Sequence, residues 1–590
     1  MLSTYRNPMK RTPRLALSLL LCLVGALLVG CLNFPPSIQR DSDGRPLDSV
    51  TSFRIGEPSS LENSDAPGRA APAGAPAILP VEQPFRIRFE VESPKSAKGP
   101  RALDLEVRRN DGPWQPVLPA EFPLPEVRTP LVSRISPRAP ATKPSADLLS
   151  GSALPHRPGR ALGLKPRKLR VSHSGVSSEW EWHLVIRRYG DGPLTTEEGD
   201  RFTFRLVDAG GAPLPARENP QVTATIPEGL LAGTFVETPG PIGPWQAGNG
   251  HLYFIMEPAE TDNVMMVVRS TDGGSSWAEV DGANRPATGD LEGVASAAFE
   301  GVLYILHQTS EAVLLHAFAT IDHPTAPDSW LIRDEVLARP PEPPIQAVAL
   351  AARPDRSLVA LYAGPEKIRL QIRNPSGSWS EPRILDAGPG PILTGPQAVT
   401  GSDGTVHIAY TGSDGSAFYR RLLPDDTLTP TRMFADDLGT REEEWIGILP
   451  LRFLETSNTL VVVYRNADGL LVERRLREED SFSPPRIVSD QPVVSCAVDS
   501  DQAGADLIHY REDLFLLFID ENSRALYLTH SRDGGPWSKP ARVVDGIDGS
   551  WVRGQVVRSA PGGTAHYGFV YDAGSKGGSG LNRFGSIPLE

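Results

Sequence analysis

From about residue 229 onward this sequence repeats itself, and no other feature so narrows the folds open to it. Short apolar stretches recur as LYFIME, LYILHQ, LVALYA, VHIAYT, LVVVYR, LFLLFI and HYGFVY. After most of them comes another strand and then a turn of Trp-Ser-x-Pro character. These turns are STDGGSSW (Ser270 to Trp277), APDSW ending at Trp330, NPSGSWSEPRIL around Trp379, DDTLTPTRMF around Thr429, EDSFSPPRIV around Phe482, and SRDGGPWSKPARVV around Asp533 and Trp537. The array holds seven units of roughly 51 residues, room for four short strands each. A four-stranded sheet of that size cannot bury its apolar faces alone, so each unit must pack against its neighbours. After Trp551 only three strands fit. GTFVETPGPIGPWQ ahead of the first unit parallels ARVVDGIDGSWVRG ahead of the last. The strand near Thr234 to Glu237 is therefore expected to supply the missing outer strand and latch the array into a ring.

The best-preserved turn has its own chemistry. Ser270 and Asp272 carry short side chains that accept hydrogen bonds from turn N–H groups. Gly273 and Gly274 supply positive φ, and Trp277 brings a large apolar ring to the start of the outgoing strand. Together these residues fit S-x-D-x-G-x-x-W, which resembles the Asp box (BNR repeat) of sialidase-like β-propellers. The resemblance implies an all-β, seven-bladed β-propeller over 229–590, with six blades as the alternative because sialidases have six. It also implies that Ser270, Asp272, Gly274, Trp277, Asp533 and Trp537 are structural, on the face away from any active site.

The N-terminus reads as an export signal. Arg6, Lys10, Arg11 and Arg14 precede an apolar core from Leu15 to Val29, shorter than the roughly 20 residues that span a bilayer. The core ends in Leu28-Val29-Gly30-Cys31, which resembles the lipobox of bacterial lipoproteins. That resemblance makes 1–30 a signal peptide and Cys31 the lipidated first mature residue, and several acyl chains together anchor stably. The expected location is the bacterial cell envelope, with Leu32 fitting the outer membrane. Residues 31–75, rich in Pro, Ala, Gly and Ser, read as a flexible tether.

Residues 76–228 alternate apolar and charged side chains in PFRIRFEV and ALDLEVRR. WEWHLVIRR, DRFTFRLVD and QVTATIP follow, so the region reads as a β-sandwich resembling immunoglobulin-like modules. A Pro-, Ser- and Arg-rich insert at about 126–176 reads as a solvated, disordered basic loop. The other reading is a basic patch for anionic lipid or polysaccharide. Cys22 and Cys31 fall in the signal region and Cys496 stands alone, so no intrachain disulfide framework is expected. The net charge of −13 argues against nucleic acid as a partner.

In such a ring, ligands meet the face formed by the loops entering each inner strand and the loops joining strands two and three. The entering loops carry Trp245, Asp290, Glu292, Gln346, Gln397, Glu444, Trp445, Trp551 and Arg553. The others carry Glu257, Glu260, Asp262, Asn263, Gln308, Glu311, Glu366, Arg465, Asp468, Asp520 and Asp572. Aromatic rings beside carboxylates suit a sugar, so Trp245, Asp290, Glu292, Trp445, Trp551 and Arg553 are the binding candidates. Tryptophans at strand starts also serve as plugs between sheets.

The resemblance to sialidases implies three arginines on a substrate carboxylate, a Tyr–Glu nucleophile pair and an acidic acid/base. Arg465, Arg511, Arg553, Tyr571 or Tyr464, and Glu292 are the residues available for these roles. Where the family carries Arg-Ile-Pro, this chain reads GPIGPWQA, without arginine. His307 and His316 offer a polysaccharide-lyase alternative. The carboxylates of EPAETDN are oxygen ligands of the kind Ca²⁺ takes, but no metal or cofactor is assigned. The expectation is non-catalytic recognition of glycan or protein at the cell surface, with an exo-glycosidase of sialidase type next and a lyase behind it.

Overall fold

In the computed structural model the described residues are 48–56, 71–95, 103–117, 131–132, 149, 152–155, 161–162, 175–189, 195–208, 210–233, 240–258, 264–280, 285–287, 293–309, 311–321, 330–339, 348–363, 367–386, 396–412, 414–438, 447–477, 481–494, 504–547, 549, 551–559, 562–573 and 582–589. Cys31, Cys496 and most of the basic insert lie outside them. The described residues form an all-β protein of small, mainly antiparallel sheets.

Two five-stranded sheets come first and share one core. One joins Ser49–Gly56, Pro84–Ser93, Val176–Ile186 and Leu131–Val132, with Ala161–Leu162 alongside. The other joins Ala77–Pro80, Gln221–Thr225, Arg201–Asp208, Leu103–Arg109 and Gln115–Pro116. Strand periodicity explains the packing, because successive side chains point to opposite faces. Phe85, Ile87, Phe89 and Val91 enter the core, where Phe85 meets Phe204 at 6.2 Å and Phe89 meets Trp182 edge-on at 5.5 Å. Arg86, Arg88 and Glu90 turn to the other face, where Arg88 binds Glu179 at 2.9 Å and Glu181 at 2.7 Å.

Two boundaries read from the sequence need correcting. Ser49–Gly56 lies in the stretch expected to be tether, yet it pairs with Pro84–Ser93 and buries Val50, Phe53 and Ile55. Its Pro- and Gly-rich surroundings hid a short strand. The insert at about 126–176 is not wholly a disordered loop. Leu131–Val132 and Ala161–Leu162 both pair with Val176–Ile186. The Leu149 N–H donates to Glu179 Oε1 at 2.6 Å and the Ser152 N–H to Glu90 Oε1 at 3.2 Å. The charged outer face of the sheet is what holds these pieces, and only the assembled sheet creates that face.

Seven small sheets follow, over 245–279, 294–338, 348–386, 397–435, 452–487, 505–544 and 552–588. The first six have four strands in sequence order and the last has three. Their innermost strands meet in turn, from Val294–Phe299 through Val348–Ala352, Gln397–Thr400, Arg452–Leu454, Ala505–Tyr510 and Val552–Arg558 to Trp245–Gln246. Trp245 Nε1 then donates to Ser296 Oγ at 2.8 Å and completes the circle. A ring of radially packed antiparallel sheets is a β-propeller.

The three-stranded sheet is where the chain closes on itself. The Phe584 N–H donates to Gly229 O at 2.8 Å, Leu230 bridges Arg583, and the Leu231 N–H donates to Asn582 O at 2.9 Å. This contact precedes the expected latch near Thr234 to Glu237, a segment outside the described residues.

The turn at 270–277 forms as its residues dictate. Ser270 Oγ accepts the Gly274 N–H at 2.8 Å, and Asp272 Oδ1 accepts the Ser276 N–H at 2.9 Å. Trp277 Nε1 donates to Gly274 O at 2.9 Å, and its buried ring packs 5.6 Å from Phe584. The Trp277 carbonyl accepts Arg188 Nη2 at 2.8 Å, so the same turn also fastens the sandwich to the ring. The later turn differs: Ser531 Oγ donates to Gly535 O at 2.8 Å, and Trp537 Nε1 reaches Glu473 Oε2 at 2.9 Å. Its run from Ser531 to Trp537 is one residue shorter than Ser270 to Trp277.

Candidate functional site

The register of the sheets gives the ring two unlike faces. Each inner strand runs toward a tight hairpin and the second strand returns from it, so inner-strand starts and second-strand ends share one face. The hairpins and the turn at 270–277 lie at the other. On the first face a repeating position stands out. Glu257 and Asp520 directly follow a second strand, and Gln308, Thr411, Arg465 and Asp572 close one; all six side chains are buried. Polar side chains survive burial only when hydrogen-bonded. Arg465 Nε donates to Val493 O at 3.2 Å, and Asp520 Oδ1 accepts the Ser523 N–H at 2.6 Å. Arg465 and Asp520 thereby tie their loops to the strands, and the six positions together form a polar collar beneath the loops of that face.

The residues expected at this face are distributed as follows. Asp290, Glu292, Trp445, Gln346, Glu444, Glu260, Asp262, Asn263 and Glu366 lie outside the described residues. Gln397 is buried, whereas Glu311 and Asp468 are exposed. Trp551 is fully buried, edge-on to Phe254 at 5.9 Å, and so plugs the gap between the last sheet and the first. Trp245 corrects the expectation outright. It pairs with Tyr253, beside the hairpin, and therefore lies toward the opposite end of its strand from the loop-bearing face. The expected convergence of Arg465, Arg511 and Arg553 also fails. Arg511 sits in the hairpin after Tyr510, at the far face, with its guanidinium 5.0 Å over the Tyr510 ring.

Arg553 remains near the loop-bearing face, but it is buried and used. Nε donates to Gly240 O at 3.2 Å, and Nη1 to Ala505 O at 3.2 Å and Val552 O at 2.8 Å. It thus spans from the sixth sheet to the start of the first. Beside it Asp506 Oδ2 accepts the Gly554 N–H at 3.0 Å and the Tyr567 hydroxyl at 2.8 Å. Burial lowers Arg553 to about 10 and raises Asp506. Burial and then the Asp506 charge push Tyr567 well above its ordinary value, so it is a neutral donor and not a nucleophile. Tyr464, 1% exposed, is likewise raised, by burial and then Asp437. Burial also raises Tyr571.

Asp506 and Tyr567 were missed in the sequence. One available signal was a charge at an inward position of an otherwise apolar strand, as in ADLIHY.

His307 and His316 do come together. Their rings stack 4.9 Å apart, and His316 Nε2 lies 3.1 Å from His307 Nδ1. The Asp334 N–H donates to His316 Nδ1 at 3.1 Å, which assigns the His316 proton to Nε2 and makes His307 Nδ1 the acceptor. Both rings are fully buried. Burial, then His316, holds His307 well below its ordinary value. Burial, then Arg333, takes His316 down to about 3. The pair is neutral and sealed among Trp330 and the neighbouring strands, away from any substrate. Among the described residues no group of three or more His, Cys, Asp or Glu is placed to hold a metal ion.

No protein-family model matches this sequence, and no curated protein matches it. Among solved structures, the BP39L lectin from Burkholderia pseudomallei is similar, with 11% identity and a TM-score of 0.42 over 62% of this chain and 99% of the lectin. The lectin of Aleuria aurantia, described as a six-bladed β-propeller with a novel fucose recognition mode, has 11% identity and a TM-score of 0.34 over 55% of this chain and 100% of its own. AofleA from Arthrobotrys oligospora has 10% identity and a TM-score of 0.34 over 54% and 87%. Likenesses this distant carry no argument about ligand.

Proposed function

We propose that this chain is a non-catalytic recognition protein of the bacterial cell surface. In this reading the seven sheets are the blades of a sialidase-like propeller, which binds glycan on the face above the polar collar. An immunoglobulin-like sandwich precedes the ring, and lipid on Cys31 anchors the chain to the envelope, at the outer membrane. The observation that carries the reading is the state of the arginines. A carboxylate-holding site needs guanidinium forks open to a ligand, whereas Arg553 and Arg465 donate to backbone carbonyls inside the protein. The collar gives the loops a fixed base, and a fixed base lowers the ordering cost of binding.

The test is a glycan array with the full chain in detergent, run beside a fluorogenic sialoside assay. Selective binding to one glycan class without sialoside hydrolysis supports the reading. Turnover of the sialoside, abolished by Arg553→Lys, overturns it in favour of a glycosidase. Binding only to protein spots replaces glycan with a protein partner.

A further inference from the structure

Because the ring is a repeat, each side chain has counterparts in the other sheets, and a departure confined to one sheet needs a cause of its own. One such position lies where the third strand of a sheet pairs with its outermost strand. Leu314 pairs with Val336, Arg369 with Ile384, Phe418 with Met433 and Val472 with Ile487. The outermost member of each pair is an exposed apolar residue. In the sixth sheet the corresponding pair is Tyr527 and Arg542. The second to fifth sheets form with an apolar residue at this place, so folding does not require Arg542.

The departure sits on the loop-bearing face. Asp545 directly follows the outer strand Ala541–Val544, and Ser523 stands in the loop between Asp513–Ile519 and Leu526–Ser531. Both loops are held before any ligand arrives. Asp520 of the collar accepts the Ser523 N–H at 2.6 Å, and the Glu521 N–H donates to Pro492 O at 2.9 Å. Arg524 joins the two loops, donating from Nε to Ile547 O at 3.1 Å and from Nη2 to Gly549 O at 2.6 Å. Groups fixed in advance lose little freedom on binding.

What converges there is mostly donors. The Tyr527 hydroxyl oxygen receives Arg542 Nε at 3.3 Å, Arg542 Nη2 at 3.1 Å and Ser523 Oγ at 3.4 Å. Its own proton meets no acceptor among the described residues. Arg542 Nη1 donates to Asp545 Oδ1 at 2.8 Å, which leaves an N–H on each terminal nitrogen and the second Asp545 oxygen open to a ligand. The Arg542 and Asp545 side chains are 51% and 73% exposed, so these groups face water. A sugar hydroxyl matches such a mixed set, because it accepts from Tyr527 or Arg542 and donates to Asp545. A carboxylate or sulfate only accepts, and it would lie against the charges of Asp545 and Asp520.

We propose that the sixth sheet carries a subsite for a neutral sugar, two neighbouring hydroxyls of which bridge Arg542, Asp545 and the Tyr527 hydroxyl. This deepens the glycan reading given above and rests on it. It assigns neutral sugars, in place of sialylated or sulfated ones, to this part of the loop-bearing face.

The experiment is an array of neutral, sialylated and sulfated glycans, followed by titration of the best neutral binder, with the full chain, Arg542→Ile and Tyr527→Phe. Arg542→Ile gives the sixth sheet the residue type its neighbours carry, and Tyr527→Phe keeps the ring that stacks on Phe518 at 5.7 Å. Both variants should therefore keep the thermal midpoint of the unaltered chain. The expected result is binding of neutral glycans, with Kd raised about tenfold or more in Arg542→Ile and about threefold to tenfold in Tyr527→Phe. Neutral binding unchanged in both variants overturns the subsite and leaves the glycan reading standing. Binding confined to sialylated or sulfated glycans overturns the neutral assignment, and no glycan binding overturns both. Should either variant lose its fold, the exposed Asp545→Ala decides instead, and unchanged neutral binding there overturns the subsite.

Discussion

Replacing Gly274 by alanine tests how the ring is closed. Gly274 has φ of +103°, outside the range an L side chain adopts readily. A Cβ there would lie 2.1 Å and 2.2 Å from Cε1 and Cδ1 of Phe584, where carbon atoms need about 3.5 Å. Phe584 cannot simply retreat, because its N–H is held by Gly229 O and its ring packs on Trp277. Backbone strain contributes on the order of 1–3 kcal/mol and the collision about 1–3 kcal/mol more. Loss of unfolded-state freedom offsets less than about 1 kcal/mol of this. Gly274→Ala should therefore cost about 2–5 kcal/mol in reversible urea unfolding followed by tryptophan fluorescence and circular dichroism. Phe584→Ala, which removes a partly buried ring, should cost about 2 kcal/mol, below the range for a fully buried one. The double variant is the decisive measurement, because without Phe584 the new methyl has nothing to strike and only the strain remains. It should be more stable than additivity requires by about 1–3 kcal/mol. A Gly274→Ala cost under about 1 kcal/mol, or additivity within about 0.5 kcal/mol, would refute the account.

Three further outcomes follow from the same geometry. His307 and His316 are neutral and buried with folded values below the ordinary histidine value near 6.5, so the unfolded chain binds protons first as pH falls. Stability should decline from about pH 6.5 toward about pH 3, and His307→Leu/His316→Leu should flatten that limb in urea midpoints measured across pH 4–7. Asp272 is lowered because hydrogen bonds from Ser276 and Ser270 outweigh its burial. Its contribution should be complete above the ordinary carboxylate value and fade as pH drops through the lowered one, while Asp272→Ala should cost about 1–2 kcal/mol at pH 7 by chemical denaturation. Tyr567→Phe removes the hydroxyl that donates to buried Asp506, and calorimetry should show a loss of about 1–3 kcal/mol.

The repeat could be read from the chain because strand periodicity and turn chemistry are local. An apolar run such as LVVVYR states its own burial, and Ser270, Asp272 and the two glycines state their own turn. The strand Ser49–Gly56 and the pairing segments of the insert were not legible, since their partners are tens of residues away. The site was the least legible part. Trp245 and Arg511 were assigned to the loop-bearing face by their order in the repeat, but a shift of a few residues along a strand carries a side chain from one face of the ring to the other. Buried Trp551 and Arg553 show the same limit, because a strand start next to an interface between sheets is not a mouth.

The amino-acid order alone determined that the chain from residue 229 would be a succession of small sheets joined by tight turns. Those choices depend on side chains and backbone preferences within a few residues of one another. Which polar groups face solvent and which arginines are taken up by carbonyls were decided only when strands hundreds of residues apart met. Gly240 and Arg553, at opposite ends of the ring, are the plainest instance. Desolvation and hydrogen bonding act through space, and the sequence does not contain those distances until the ring has closed.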